Sequence, residues 1–134
     1  MTHTDTSGGV SRDAAALIGR VLLAALFIIA GVNKLTDPAG TIGYIGSVGL
    51  PLPEVAYAGT VAVEILGGLA LLIGFKARWA GLALGLFCVA TAVLFHNDFS
   101  QQSEMTAFLK NLAIGGGMFQ VFAFGPGKYS LDKG

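Results

Sequence analysis

The sequence has little charge and almost no cysteine. Only 12% of its 134 residues are Asp, Glu, Lys or Arg, and their formal charges cancel, whereas typical soluble domains carry about 25% charged residues. At 54% hydrophobic residues, the chain has more apolar surface than a soluble fold of this size can bury, so we expect lipid to be its solvent. The single cysteine, Cys88, excludes an internal disulfide, a CxxC redox pair and a multi-cysteine metal site. Because no basic run occurs, the electrostatic footprint of a nucleic-acid-binding protein is also missing.

In place of charge, the chain has four apolar segments. They cover residues 14–35, 55–75, 77–95 and 105–124. Each is close to the ~20 residues that a helix needs to cross ~30 Å of hydrocarbon, and a lone sheet would leave unpaired edges in lipid. We therefore predict an all-α fold, an integral membrane bundle of four transmembrane helices formed by residues 12–134. Residues 1–11 are small and polar, and we predict that they form a disordered tail.

The connections between the spans differ in length and composition. The first, residues 36–53, is long and contains several glycines and prolines, and we expect its residues 42–45 to rest at the membrane interface as a short amphipathic turn. Ser100 or Ser103 is placed to cap the fourth span. Gly125, which is followed by proline, signals the end of that span.

One carboxylate lies inside the second apolar segment. Glu64 is about eleven residues, or ~16 Å, from the beginning of its span at a helical rise of about 1.5 Å per residue. That depth is near the bilayer centre, where an ionised carboxylate facing lipid costs several kcal/mol. Its neighbours one turn away are Thr60, Gly67 and Gly68, a small and slightly polar face. We therefore predict that Glu64 faces the interior of the bundle.

Further polar residues lie in the same half of the predicted bundle. Lys34 ends the first span, His96 closes the third at the start of a polar loop, and Lys110 and Asn111 lie near the beginning of the fourth. We expect a basic residue to neutralise Glu64, with Lys110 as the first choice and Lys34 as the second. Three purely structural alternatives are open. Lys34 can snorkel to the headgroups, the His96 loop can be an ordinary wet loop, and a pair between Glu64 and Lys110 can serve packing alone.

The basic residues are unevenly distributed between the two sides of the membrane. If both termini share one side, that side holds six of the eight Lys and Arg residues, and the other side holds Lys34 and Lys110. The positive-inside rule then places both termini in the cytoplasm and the polar half of the bundle at the outer face. The six residues are Arg12, Arg20, Lys76, Arg78, Lys128 and Lys133.

The chain contains, in this order, the stretches FIIAGVNKL, VEILGGLALLIGF, FHNDF and FLKNLAIGGGM, with the long proline-containing loop after the first. Together they resemble the DoxX family of small four-span membrane proteins over about residues 14–131. The resemblance implies a protein of the bacterial cytoplasmic membrane that is tied to respiratory or sulfur redox chemistry. It also implies a role like that of relatives described as subunits of quinol oxidase or thiosulfate:quinone oxidoreductase, or as membrane partners of redox-defence enzymes. The polar positions of the family correspond here to Lys34, Glu64, His96, Lys110 and Asn111.

We hypothesise that the chain is a quinone-linked membrane redox component. Lys110, Asn111 and His96 can donate hydrogen bonds to quinone carbonyls, and Glu64 can accept or relay a proton. We assign catalytic roles to Glu64, Lys110 and His96, and quinone binding to Lys34, Glu64, His96 and Asn111. The sequence indicates no haem, iron–sulfur cluster or metal. The chain is therefore expected to need a partner redox subunit or to act on quinol directly. A homo-oligomer is the alternative to such a partner.

Two alternative hypotheses assign the chain to other functional classes, a transporter and an assembly subunit. A small proton-coupled transporter would resemble the small multidrug pumps, whose essential glutamate lies in the first span. Here the first span has no acidic residue, and the basic bias favours a single orientation. A non-catalytic assembly subunit would use the polar cluster only to hold helices together, and the sequence does not separate this hypothesis from the first.

The topology can be tested by cysteine accessibility. With Cys88 replaced, an impermeant thiol reagent applied to the outer face of intact cells should label a Ser100→Cys variant and leave a Lys76→Cys variant unlabelled. Both positions should react once the membrane is permeabilised. Labelling of position 76 alone from outside would reverse the predicted orientation.

Overall fold

Within residues 6–132, the part of the chain that the computed structural model describes, five helices follow one another and no strand occurs. They are α1 (Thr6–Thr36), α2 (Pro38–Ser47), α3 (Pro53–Ile73), α4 (Ala77–Phe95) and α5 (Gln102–Phe124). The helices α1, α3, α4 and α5 are long and apolar enough to cross a membrane. The predicted all-α membrane bundle is therefore confirmed.

Two boundaries at the beginning of the chain differ from the sequence analysis. Residues 1–5 of the expected tail lie outside the described residues, and α1 already begins at Thr6. The expected interfacial turn is a complete ten-residue helix, α2. Its start is encoded locally, because the side chain of Asp37 accepts a hydrogen bond from Gly40 N–H and Pro38 occupies the first helical position. Both are favourable helix-start signals.

The loop between α4 and α5 is shaped by Asp98 instead of by a serine cap. The residue before α5 is Gln101, which makes no side-chain capping bond, so the prediction that Ser100 or Ser103 caps this helix is wrong. Ser100 donates from its hydroxyl and from its N–H to the Asp98 carboxylate, and Gln101 donates to it as well. These hydrogen bonds, led by the Ser100 hydroxyl, hold the pKa of Asp98 below its usual range.

The spans pack in series: α1 packs on α3, α3 on α4 and α4 on α5. The α4–α5 contact is close because a Cβ at Gly81 would lie 2.8 Å from the Met118 carbonyl oxygen, a distance that no larger residue permits without a backbone shift. The helices α1 and α5, at the two ends of this series, share little backbone contact. Leu23 of α1 lies beside Gly117 of α5, and beyond this level a cavity separates the two helices.

The two ends of the bundle are built differently. We call the end with α2 and the α4–α5 loop the loop end, and the end with the α3–α4 turn the turn end. At the turn end, Gly74 ends α3 in the left-handed region with φ 75°. Substitution there would be strained, and a Cβ would also meet the backbone of Ser130 at 2.9 Å.

The C-terminal segment closes the turn end. Leu131 N–H donates to the Ile73 carbonyl at 3.1 Å, and Asp132 N–H donates to the Gly74 carbonyl at 2.9 Å. The Asp132 carboxylate then accepts from the N–H groups of Lys76 and Ala77 at 2.7 and 2.8 Å, and so caps the start of α4.

Arg20 is part of the same closure. It counted among the flanking basic residues in the sequence analysis, yet its side chain is buried with 2% exposed. Its Nη2 donates to the Tyr129 carbonyl at 2.6 Å. The residue therefore joins α1 to the C-terminal segment, a contact that spans 109 positions in the sequence.

The cap that Asp132 forms at the start of α4 predicts an order of stability among wild type and two variants. An Asp132→Ala variant loses both acceptors, and we expect its free energy of unfolding to fall by about 1 kcal/mol. An Asp132→Asn variant keeps one acceptor and should lie between wild type and Asp132→Ala. Unfolding in mixed micelles measures this order, and equal stability of all three would show that the cap contributes nothing.

Candidate functional site

The loop end of the bundle contains a cavity of about 370 Å³ to which all five helices contribute. Most of its wall is apolar, supplied by side chains such as Phe27, Phe87 and Ile114. The polar groups on the wall are Lys34, Thr41, Tyr44, Thr60, Glu64, Thr91, His96, Lys110 and Asn111. A mostly apolar cavity with a few convergent polar groups is typical of a small-molecule site.

All five of the residues predicted from the sequence line this cavity: Lys34, Glu64, His96, Lys110 and Asn111. They come from α1, from α3, from the end of α4 and from α5. The expectation that these polar residues converge in one half of the bundle agrees with this placement. The chemical roles assigned to them stay predictions.

Glu64 lies inside the bundle with 4% of its surface exposed, and its partner is Lys34. The Lys34 Nζ donates to Glu64 Oε2 at 3.1 Å and lies 2.9 Å from Oε1. The prediction that Lys110 is the first choice for this partner is therefore wrong. The reason is the close packing of α1 on α3, because a Cβ at Gly31, one turn before Lys34, would lie 3.3 Å from the Cβ of Glu64.

One oxygen of this carboxylate has unused capacity. Glu64 Oε1 is buried and has no partner in hydrogen-bond geometry among the described residues. Its 2.9 Å approach to Lys34 Nζ is an electrostatic contact, since the better-directed donation goes to Oε2. Because the Lys34 ammonium lies 2.9 Å away, this oxygen is electrostatically compensated and can still accept a better-directed hydrogen bond from a further donor.

Tyr57 fixes the position of the pair. Its hydroxyl donates to the Lys34 carbonyl at 3.0 Å, and this bond ties the end of α1 to α3. The sequence analysis did not include Tyr57 in the site. A hydroxyl that bonds a main-chain carbonyl 23 positions away has no local sequence signal.

His96 faces a second carboxylate that the sequence analysis missed. Its Nδ1 lies 3.3 Å from Glu104 Oε2, and the two side chains are 25% and 29% exposed. Glu104 belongs to the first turn of α5, and the turn around Asp98 brings that helix start back beside His96. With Nδ1 directed at Glu104, Nε2 is left for another partner.

The two α5 residues have different surroundings. Asn111 donates from Nδ2 to the Ala107 carbonyl at 3.2 Å, so its side-chain oxygen is left for another partner. Lys110 is exposed, and no carboxylate within residues 6–132 lies in salt-bridge distance of its Nζ. Its ammonium group is the one cation on the cavity wall without a carboxylate neighbour in the described part of the chain.

An aromatic pair closes the top of the cavity. Tyr44 of α2 stacks on Phe95 of α4 with their ring centroids 5.4 Å apart. This contact places α2 over the loop end.

As for metals, residues 6–132 contain no cluster of three or more His, Cys, Asp or Glu side chains that could hold an ion.

The pairing of Glu64 with Lys34 and not with Lys110 can be tested by measuring the free energy of unfolding of variants. A Lys34→Met variant leaves Glu64 buried without its cation, and loss of one partner of a buried pair costs about 3 kcal/mol or more. A Lys34→Met, Glu64→Leu double variant has no unpaired charge and should recover much of that loss. Lys110→Met is the matched control and should change stability little. Unfolding in mixed micelles gives all four values, and a larger loss in Lys110→Met than in Lys34→Met would contradict the observed pairing.

Comparison with known proteins gives the family. The family model DoxX matches residues 15–97. Inner membrane protein YqjF of Escherichia coli (strain K12) is 40% identical over 124 residues, which cover 90% of this chain and 92% of that protein. Inner membrane protein YphA of the same organism is 30% identical over 130 residues, covering 93% of each chain.

A more limited similarity concerns CatD of Bacillus subtilis (strain 168), which is provisionally named as an oxidoreductase. It is 31% identical over 77 residues, covering 58% of this chain and 56% of that protein. No solved structure matches the chain. The family match covers α1 from residue 15 onward and all of α2, α3 and α4, and the two inner membrane relatives extend the similarity through nearly all of the sequence. The chain therefore belongs to the DoxX family.

Proposed function

We propose that the cavity at the loop end binds a quinone or its quinol, and that the chain is a membrane component of a quinone-linked redox system. The observation that carries the proposal is the Glu64 carboxylate, which lines the cavity, contacts one ammonium and has an oxygen, Oε1, without a well-directed hydrogen bond. A quinol hydroxyl can donate to such an oxygen. Lys110, an exposed residue that lines the same cavity, can donate to a carbonyl.

The shape and lining of the cavity support a molecule with a compact polar head. Its volume of about 370 Å³ lies toward the lower end of the ~300–1,000 Å³ that is usual for small-molecule sites. The polar groups occur on several helices, and the rest of the wall is aromatic or aliphatic. Such a wall suits a ring whose edges carry oxygens and whose faces are apolar.

A route for an apolar tail lies between α1 and α5. Leu26 lines the cavity, and 45% of its surface is exposed. The cavity therefore reaches the lipid-facing surface on the side where these two helices share little backbone contact. A tail can extend through this gap into the bilayer while the head stays beside Glu64.

When bound, the quinone would supply the redox chemistry, and the chain's own residues would bind, orient and handle protons. Glu64 and Lys110 would hold the two oxygens of the head, and Asn111 would offer its side-chain oxygen. Since the sequence indicates no electron carrier in this chain, we propose that a partner redox subunit exchanges the electrons. The provisional oxidoreductase name of CatD supports a redox role.

We further propose that the protein resides in the bacterial inner membrane. The names of YqjF and YphA support this location. The excess of basic residues at the turn end supports an arrangement with both termini in the cytoplasm. In that arrangement, the cavity opens in the outer half of the membrane.

Ligand binding tests the proposal directly. We expect a short-tailed ubiquinol or menaquinol analogue to bind the purified protein saturably in calorimetry. Glu64→Gln and Lys110→Met should each weaken binding about tenfold or more, because each loses a charge-assisted hydrogen bond. Lys76→Met, at the exposed turn end, is the matched control and should bind like wild type.

Calorimetry is preferable to intrinsic fluorescence because Trp79, the single tryptophan, packs on Phe122, toward the turn end. No binding to wild type, or equal binding by all four proteins, would exclude the quinone site. The polar residues of the cavity would then be better explained as contacts that hold the helices of an assembly subunit together.

A further inference from the structure

We propose that His96 and Glu104 form a proton-conducting pair that connects the cavity to water at the loop end. The inference rests on the proposed binding of a protonatable ligand in the cavity. It assigns to Glu104 a role that neither the sequence pattern nor the similarity to relatives suggests.

The geometry of the pair spans the boundary between the cavity and the surface. His96 lines the cavity, and its Nδ1 lies 3.3 Å from Glu104 Oε2. Glu104 itself does not line the cavity, and 29% of its side chain is exposed. The two side chains therefore form a continuous polar connection from the cavity wall to the surface.

The chemistry of the pair suits proton transfer. An imidazole can accept a proton at Nε2 and release one from Nδ1 to a hydrogen-bonded carboxylate. A ligand hydroxyl in the cavity would lose its proton to His96 Nε2, His96 would pass the Nδ1 proton to Glu104, and Glu104 would release it to water. Glu104 then returns to its starting state, His96 is left with its proton on Nε2 and has to regain the Nδ1–H tautomer before the next transfer, and no electron moves in these steps.

The other ionisable groups around His96 are less suited to this path. Lys34 and Glu64 are directed at each other, and Lys110 approaches from α5 as a cation. Tyr44 of α2 also lines the cavity. Asp98, in the same loop as His96, is held by Ser100 and Gln101. Among the residues that the structure describes, Glu104 is the carboxylate within contact distance of the His96 ring.

A structural explanation of Glu104 has to be separated from this one. An acidic residue in the first turn of a helix stabilises that helix through the positive end of its dipole. That role requires a negative charge in the first turn and no contact with His96. A helix-dipole role alone would leave the tautomer of His96 unchanged.

The first measurement uses the fact that the chain has two histidines, His3 and His96. In nanodiscs, with histidine rings labelled for NMR, neutral His96 of wild type should carry its proton on Nδ1, because a carboxylate acceptor beside that nitrogen favours the Nδ1–H tautomer. Glu104→Gln should shift the tautomer balance of His96 toward Nε2–H, and Glu104→Asp, which keeps the carboxylate, should restore part of the Nδ1–H form. The His3 signal is the internal control and should not change. An unchanged His96 tautomer in Glu104→Gln overturns the pair.

The second measurement separates this inference from the proposed function. Calorimetry with the quinol analogue between pH 5 and pH 8 should show an affinity that changes with pH in wild type, and Glu104→Gln should displace that profile because it removes the group that exchanges a proton with His96. Binding with superimposable pH profiles in the two proteins refutes the proton connection and leaves the quinone site standing. Absence of binding at every pH refutes the quinone site and, with it, the connection.

Discussion

The contact between Lys34 and Glu64 determines how this half of the bundle can be built. A carboxylate in the middle of a membrane helix is costly unless it meets a cation, and Glu64 is 4% exposed. Its cation comes from the end of α1, and the approach requires α1 to lie tightly against α3. Gly31 allows that approach, and the hydroxyl of Tyr57 holds the end of α1 in place. The ion pair, the helix contact and the cavity wall therefore depend on one another.

The cavity follows from unequal packing among the spans. The pairs α1–α3 and α4–α5 pack closely, and glycines such as Gly81 bring their backbones together. Large apolar side chains cannot also fill the space between α1 and α5 at the loop end, because the residues facing it there include Lys34, Lys110 and Asn111. Their polar ends need hydrogen-bond partners, which makes a polar-headed ligand a better occupant than lipid tails alone.

The two ends of the bundle differ in their polar contacts. At the turn end, Arg20 Nη2 donates to the Tyr129 carbonyl and Asp132 caps α4, so these side chains hold the C-terminal segment on the bundle, although Arg20 Nε and Nη1 are buried without a hydrogen bond. At the loop end, Glu64 Oε1 and Lys110 have capacity left over. Polar groups with unmet capacity beside a cavity are suited to binding, whereas those with partners in the same chain are suited to holding helices together.

The sequence by itself determined the four spans, because length and hydropathy suffice to identify a membrane helix. It also determined that Glu64 faces inward, since its cost in lipid leaves few alternatives. Only the tertiary structure decided that Lys34 is its partner, that Glu104 faces His96, and that Arg20 is buried under the C-terminal segment. Helical periodicity gives the face on which a residue lies and nothing about the rotation and depth of the neighbouring helix. Those depend on the summed packing of residues far apart in the chain, as with Arg20 and Tyr129.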